Sequence, residues 1–194
     1  MADEKTIAQA KDPVDATREL VAERSATLTD KSARKLFELP YGIRGQLEDF
    51  DEATKSALFE SAKEEAAVPS GSVMWGAVFN SYAALLELVH TVRIPGEWKE
   101  TSGGPYAQQV IESPNRIATV FAIFRKHKEI GDEEARQMLE FAHNTALVGL
   151  STEARKALFA YAQERGVGWF EVTNQYTAVA ELVARIKRPI YAEL

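Results

Sequence analysis

The sequence predicts an all-α protein: an internally duplicated helical bundle of two roughly four-helix units related by a pseudo-twofold. Three observations predict it. The first is a stretch that occurs twice. Trp75 to Pro95 and Trp169 to Pro189 are identical at nine of 21 positions without a gap, where unrelated segments of ordinary composition would share roughly one or two. The second is a set of long segments with apolar residues at helical spacing. The third is the scarcity of strand signals, with few alternating apolar and polar residues and no Asn-Gly hairpin turn.

The identities in the repeated stretch are Trp75/Trp169, Val78/Val172, Asn80/Asn174, Tyr82/Tyr176, Ala84/Ala178, Glu87/Glu181, Leu88/Leu182, Val89/Val183 and Pro95/Pro189. The likeness extends upstream. Ala57-Leu58-Phe59, Ala62 and Glu64 match Ala157-Leu158-Phe159, Ala162 and Glu164 at an offset of 100. Asp30, Ala33, Arg34 and Glu38 match Asp132, Ala135, Arg136 and Glu140 at an offset of 102. The offset changes where loops are expected, and surface loops tolerate insertion. A period near 100 is too long for a solenoid array.

Taken in order, residues 1–12 are polar and aperiodic, and read as a disordered tail. A first repeat unit spans 13–95. It opens at Asp12-Pro13 and continues through a helix capped near Thr29-Asp30, which Pro40 and Gly42 end or bend. A helix capped by Asp51 follows, and then the first Trp helix. A Gly/Pro-rich linker occupies 96–105. The second unit, 106–194, holds a short helix at Tyr106–Glu112 and a helix capped by Ser113 with Pro114 at its first position. A helix capped by Asp132, one capped by Ser151 and the second Trp helix complete it.

Positions 75, 78, 82, 85, 89 and 92 of the first Trp helix, and 169, 172, 176, 179, 183 and 186 of the second, are all apolar or aromatic. Steps of 3, 4, 3, 4, 3 make a buried seam. Ala84, Leu88, Ala178 and Leu182 fall outside it, so both helices are expected to be buried on more than one side. The two tyrosine hydroxyls would then need hydrogen-bond partners.

The composition excludes several chemistries. There are no cysteines, so disulfides, thiol catalysis and thiolate metal sites are ruled out. The net charge is −6, and the densest basic cluster is Arg125-Lys126-His127-Lys128, which does not suit a nucleic-acid partner. The N-terminus lacks a basic segment followed by an apolar one, so no signal peptide is expected. The apolar stretch Val73 to Val89 is interrupted by Asn80, Ser81 and Glu87. It reads as a buried helix rather than a membrane span. No Gly-x-Ser-x-Gly, P-loop or Gly-x-Gly-x-x-Gly motif is present.

Two constellations carry possible chemistry. Asn80 with Glu87, and Asn174 with Glu181, are seven residues apart and share a helix face. They form either a polar pair for a ligand or a solvated stripe. Glu87-x-x-His90 and Glu140-x-x-His143 have the i, i+3 spacing used by di-iron and di-manganese bundles. The repeat weighs against that use, because His90 corresponds to Ala184 and His143 to Tyr41. Asp30/Arg34 and Asp132/Arg136 are spaced as i, i+4 ion pairs.

The reading is a soluble, cytoplasmic, non-enzymatic binding or assembly module. It acts on a protein partner or forms a homo-oligomer, with no nucleic acid, no membrane and no cofactor. One alternative is a ferritin-like metal-carboxylate protein holding iron or manganese with Glu87, His90, Glu140 and His143. A second is a small-molecule site between the Trp helices, drawing on Trp75, Asn80, Tyr82, Glu87, Trp169, Asn174, Tyr176 and Glu181.

Overall fold

The computed structural model describes residues 2–67, 72–92 and 104–191, without the side chains of 2–4 and 187–191. The described residues form ten helices and no strand: α1 (Ala2–Gln9), α2 (Pro13–Arg24), α3 (Asp30–Ile43), α4 (Glu52–Glu65), α5 (Trp75–Val92), α6 (Pro105–Glu112), α7 (Arg116–Lys126), α8 (Asp132–Ala142), α9 (Thr152–Arg165) and α10 (Trp169–Tyr191). None of these helices is long and apolar enough to cross a membrane. The chain divides into two compact units, Met1–Glu87 and Leu88–Leu194, so the division falls inside α5. Most of the linker expected at 96–105 lies outside the described residues; Gly104 and Pro105 form the N-cap and first position of α6.

In the first unit, Asp12 starts α2 by accepting the N–H groups of Val14 and Asp15. Thr29 starts α3 with a capping box to Ser32. Asp51 starts α4 by accepting from Thr54. Each side chain occupies an N–H that the helix itself cannot satisfy. Pro40 does not end α3, which runs three residues further to Ile43. The polar residues 1–12, expected as a tail, instead carry α1. Its Ile7 is fully buried, and the helix packs on α2 and α3. Among its described side chains one apolar anchor, Ile7, is buried, too few to create a periodicity in the sequence.

Phe37 sits at the centre of this unit. Its ring centroid lies 5.0 Å from Phe79, 5.8 Å from Phe59, 5.9 Å from Tyr82 and 6.3 Å from Trp75. Phe59 stacks on Trp75 at 6.4 Å with 21° between the planes. α3, α4 and α5 are thereby joined through rings, each pair adding about 0.5–1.5 kcal/mol beyond its buried area.

In the second unit α6 packs on α7 and α8, α7 on α8 and α10, and α9 on α8 and α10. Trp169 stacks on Phe124 at 5.3 Å and on Phe159 at 6.4 Å, the latter with 23° between planes. Two predicted caps are displaced. Ser113 closes α6, and its Oγ accepts from the N–H of Asn115, the residue that caps α7. Gly131, not Asp132, is the N-cap of α8, and Asp132 is its first residue. The anionic side chain favours the first turn by its charge alone.

The predicted seams are buried. On α5 this holds for Trp75, Val78, Tyr82, Leu85, Val89 and Val92, and on α10 for Val172, Tyr176, Val179, Val183 and Ile186. Trp169 is half-buried. Phe79, Leu86 and Leu88 on α5, and Ala180 and Leu182 on α10, are buried as well. Both helices are therefore covered on more than one side.

Gly166 fixes the α9–α10 corner. A Cβ there would lie 2.5 Å from the backbone nitrogen of Val172 and 2.9 Å from its Cα. Gly168, two residues on, has nothing within 4 Å. Gly166→Ala should therefore cost about 1–3 kcal/mol by overpacking, and Gly168→Ala far less. Urea titrations of the two variants followed by circular dichroism check this contrast.

Candidate functional site

The predicted ligand residues separate into a surface set and a core set. Asn80, Glu87, Asn174 and Glu181 are all exposed. The polar pair on each helix is a solvated stripe; Asn80 Oδ1 accepts from Arg18 Nε at 3.4 Å, and Arg18 also meets Asp15. Tyr82 and Tyr176 are fully buried. Trp75 and Trp169 are engaged by phenylalanine rings, which gives them a packing role.

The densest cluster of buried ionisable groups lies in the second unit, among α8, α9 and α10. Arg136, Glu140, His143, Arg155 and Tyr176 are all buried. Arg136 on α8 holds Glu140 one turn along the same helix, and donates to Glu133 at 2.5 Å on the outside. Arg155 on α9 donates from Nη2 to the carbonyl of Leu147 at 2.7 Å. His143 Nε2 lies 3.1 Å from Thr177 Oγ1, and its ring is 5.6 Å from that of Tyr176. Burial pushes the Glu140 carboxyl above its ordinary value, with Arg136 acting against the shift. Burial also lowers His143 and raises Tyr176 well above the usual phenol range. Each group is thereby pushed toward its neutral form, as a low-dielectric site demands.

A related arrangement occurs in the first unit. Arg34 on α3 donates to Glu38 at 2.8 Å and also holds Glu52. Tyr82 on α5 is fully buried, 6.0 Å from Tyr41 between ring centroids. Burial pushes Tyr41 up to about 12, against the pull of Arg44 and Arg18, and raises Tyr82 further. The two centres differ in wetness. The side chains of Arg34 and Glu38 are 22% and 24% exposed, against 7% and 4% for Arg136 and Glu140.

The ion pairs differ from those the spacing predicts. Arg34 and Arg136 turn to the glutamates four residues ahead, not to Asp30 and Asp132; Asp30 instead meets Lys63 at 2.5 Å. A desolvated carboxylate gains more from a guanidinium than an exposed one does. The recurrence of Arg34/Glu38 as Arg136/Glu140 was the available signal for this. Arg155 left none, since its counterpart at an offset of 100 is Lys55.

Among the described residues, no three His, Asp or Glu side chains gather as metal ligands. Of the set Glu87, His90, Glu140 and His143, Glu87 is exposed, His90 half-buried, Glu140 engaged by Arg136 and His143 by Thr177. The chain matches no family model, no curated protein and no solved structure.

Removing Arg136 would strand a buried carboxylate. Arg136→Met should cost about 3–5 kcal/mol, and Arg34→Met, at a wetter pair, about 0–1 kcal/mol. Denaturant unfolding of both variants, with Arg136→Met/Glu140→Leu recovering most of the loss, checks this.

His143 adds a pH dependence. Its folded pKa lies below the ordinary 6.5, so the unfolded chain takes up the proton first as pH falls. The stability tied to neutral His143 is present above about pH 6.5 and lost as pH falls through the depressed folded value. His143→Gln should flatten the Tm profile between pH 7 and 5.

Proposed function

We propose that the protein is a non-enzymatic helical binding or assembly module, built from a duplicated helical unit, that engages a protein partner or a second copy of itself. The observation that carries this reading is an exposed apolar residue two positions before each Trp helix. Val73 precedes Trp75 and is 47% exposed, and Val167 precedes Trp169 and is 95% exposed. Met74 beside the first is 57% exposed. Phe170 beside the second is 41% exposed, and its ring lies 5.4 Å from Phe121. Apolar side chains held in water next to a rigid ring pair suit a contact surface. The ionisable cluster of the second unit faces inward and satisfies the fold rather than a substrate, which supports a non-catalytic role.

The duplication is supported by matching details in the two units. Leu47 and Leu147, and Phe50 and Leu150, are buried ahead of helices capped by Asp51 and Ser151. Thr17 and Thr119 each donate to the carbonyl four residues back. Val21 and Ile123, four residues further along α2 and α7, are buried. Phe59 stacks on Trp75, and Phe159 on Trp169, at the same 6.4 Å.

The wild type should sediment as a concentration-dependent oligomer, or crosslink to a partner in cells from a photoreactive group at position 167. The Val167→Asp/Phe170→Asp variant should keep its circular dichroism and lose the association. A wild type that stays monomeric and uncrosslinked would sink the proposal.

A further inference from the structure

Tyr82 and Tyr176 each bury a hydroxyl completely, and among the described residues neither Oη has a hydrogen-bond partner. Their rings are held by packing. Tyr82 lies 5.9 Å from Phe37 and 6.0 Å from Tyr41, and Tyr176 lies 5.6 Å from His143 and 6.5 Å from Phe159. A phenylalanine would fill the same space without an oxygen. Buried hydroxyls in folded proteins nearly always find a partner, and where protein supplies none, ordered water does.

The charges around each hydroxyl indicate where such a water would turn. Those acting on Tyr176 are Glu140, Arg155 and Arg136. Those acting on Tyr82 include Glu38 and Arg34. In both units a buried tyrosine of the last helix therefore feels the charges of an Arg–Glu pair carried four residues apart on one helix. The carboxylate is the natural second partner. Once ionised it only accepts, and one arginine leaves it lone pairs to spare. A phenol that donates and a carboxylate that accepts, with no direct hydrogen bond between them, suit a molecule that can do both.

We propose that each unit holds one internal water on its buried tyrosine, accepting a hydrogen bond from the Tyr176 O–H and donating to Glu140 in the second unit, and accepting from the Tyr82 O–H and donating to Glu38 in the first. Water is the ligand class that fits, because it is small enough for a centre with no exposed side-chain oxygen on its tyrosine. It also ties α10 to α8, and α5 to α3, through a polar link that the apolar seam does not provide. The Tyr176 water is the more deeply enclosed, since Arg136 and Glu140 are buried while Arg34 and Glu38 reach solvent. The second should accordingly exchange with bulk more slowly.

A high-resolution crystal structure of the full chain tests this directly. The expected result is an ordered water about 2.6–3.2 Å from each Oη and from the paired carboxylate. Dry hydroxyls would overturn the proposal. Oxygen-17 relaxation dispersion gives a second reading in solution, and Tyr176→Phe should remove one long-lived water from the wild-type count. The same variant should lower Tm by about 2–4 °C. A Tyr176→Phe protein as stable as the wild type, with the same number of long-lived waters, would refute the assignment. Should Tyr176→Phe not fold, Tyr82→Phe serves for the first unit with the same expected and contrary results.

Discussion

Ring packing on the tryptophan that opens the last helix sets the arrangement of its neighbours in each unit. An indole is too large to be covered by a single helix. In the first unit it takes Phe37 from α3 and Phe59 from α4, and in the second Phe124 from α7 and Phe159 from α9. Once those rings are in contact, the apolar seam of the last helix lies inward for its whole length. The caps of the preceding helices then fix where each chain segment turns. The packing of a ring whose covering residues come from different helices thus precedes and constrains the polar contacts.

The polar centres are a consequence of that order. With the seam committed to the core, the tyrosine at its second turn is carried inward together with its hydroxyl. The Arg–Glu pair on the facing helix then lies beside it. In the first unit this pair keeps a route to water, with Glu52 on the outside also held by Arg34. In the second it is closed over, and a histidine and a second arginine replace the tyrosine and lysine found at the corresponding positions. The two units therefore differ electrostatically: in the first the Arg–Glu pair reaches solvent, and in the second burial presses Glu140, His143 and Tyr176 toward their neutral forms.

Much of this was legible in the sequence, for identifiable reasons. The seams of α5 and α10 could be read because a helix imposes a spacing that a long apolar face must follow. The all-helical class followed from the same spacing. Helix α1 could not be read, since its hold on the protein is Ile7, and one residue has no period. The caps at 113 and 131 were misplaced because serine, asparagine, aspartate and glycine compete at adjacent positions, and only the path of the chain decides between them. Asn80, Glu87, Asn174 and Glu181 recur like a motif, yet they lie in water. Recurrence is a property of the sequence, and exposure depends on what packs nearby. The partner choice of Arg34 and Arg136 depended on desolvation, a property of three dimensions.

The contact between Gly166 and the first turn of α10 has a bearing on how the chain can vary. Backbone touches backbone there, so the link from α9 to α10 has a length as well as a composition. A residue added between 166 and 169 would lift the glycine off Val172 and rotate Trp169 out of its stack. A residue removed would drive the two helices into each other. The counterpart connection, 66–74, is longer, since the offset between the halves falls from 100 to 94 across it, so the constraint belongs to the short link of the second half. This corner behaves as a gauge, and substitutions around it are confined to those that leave its spacing intact.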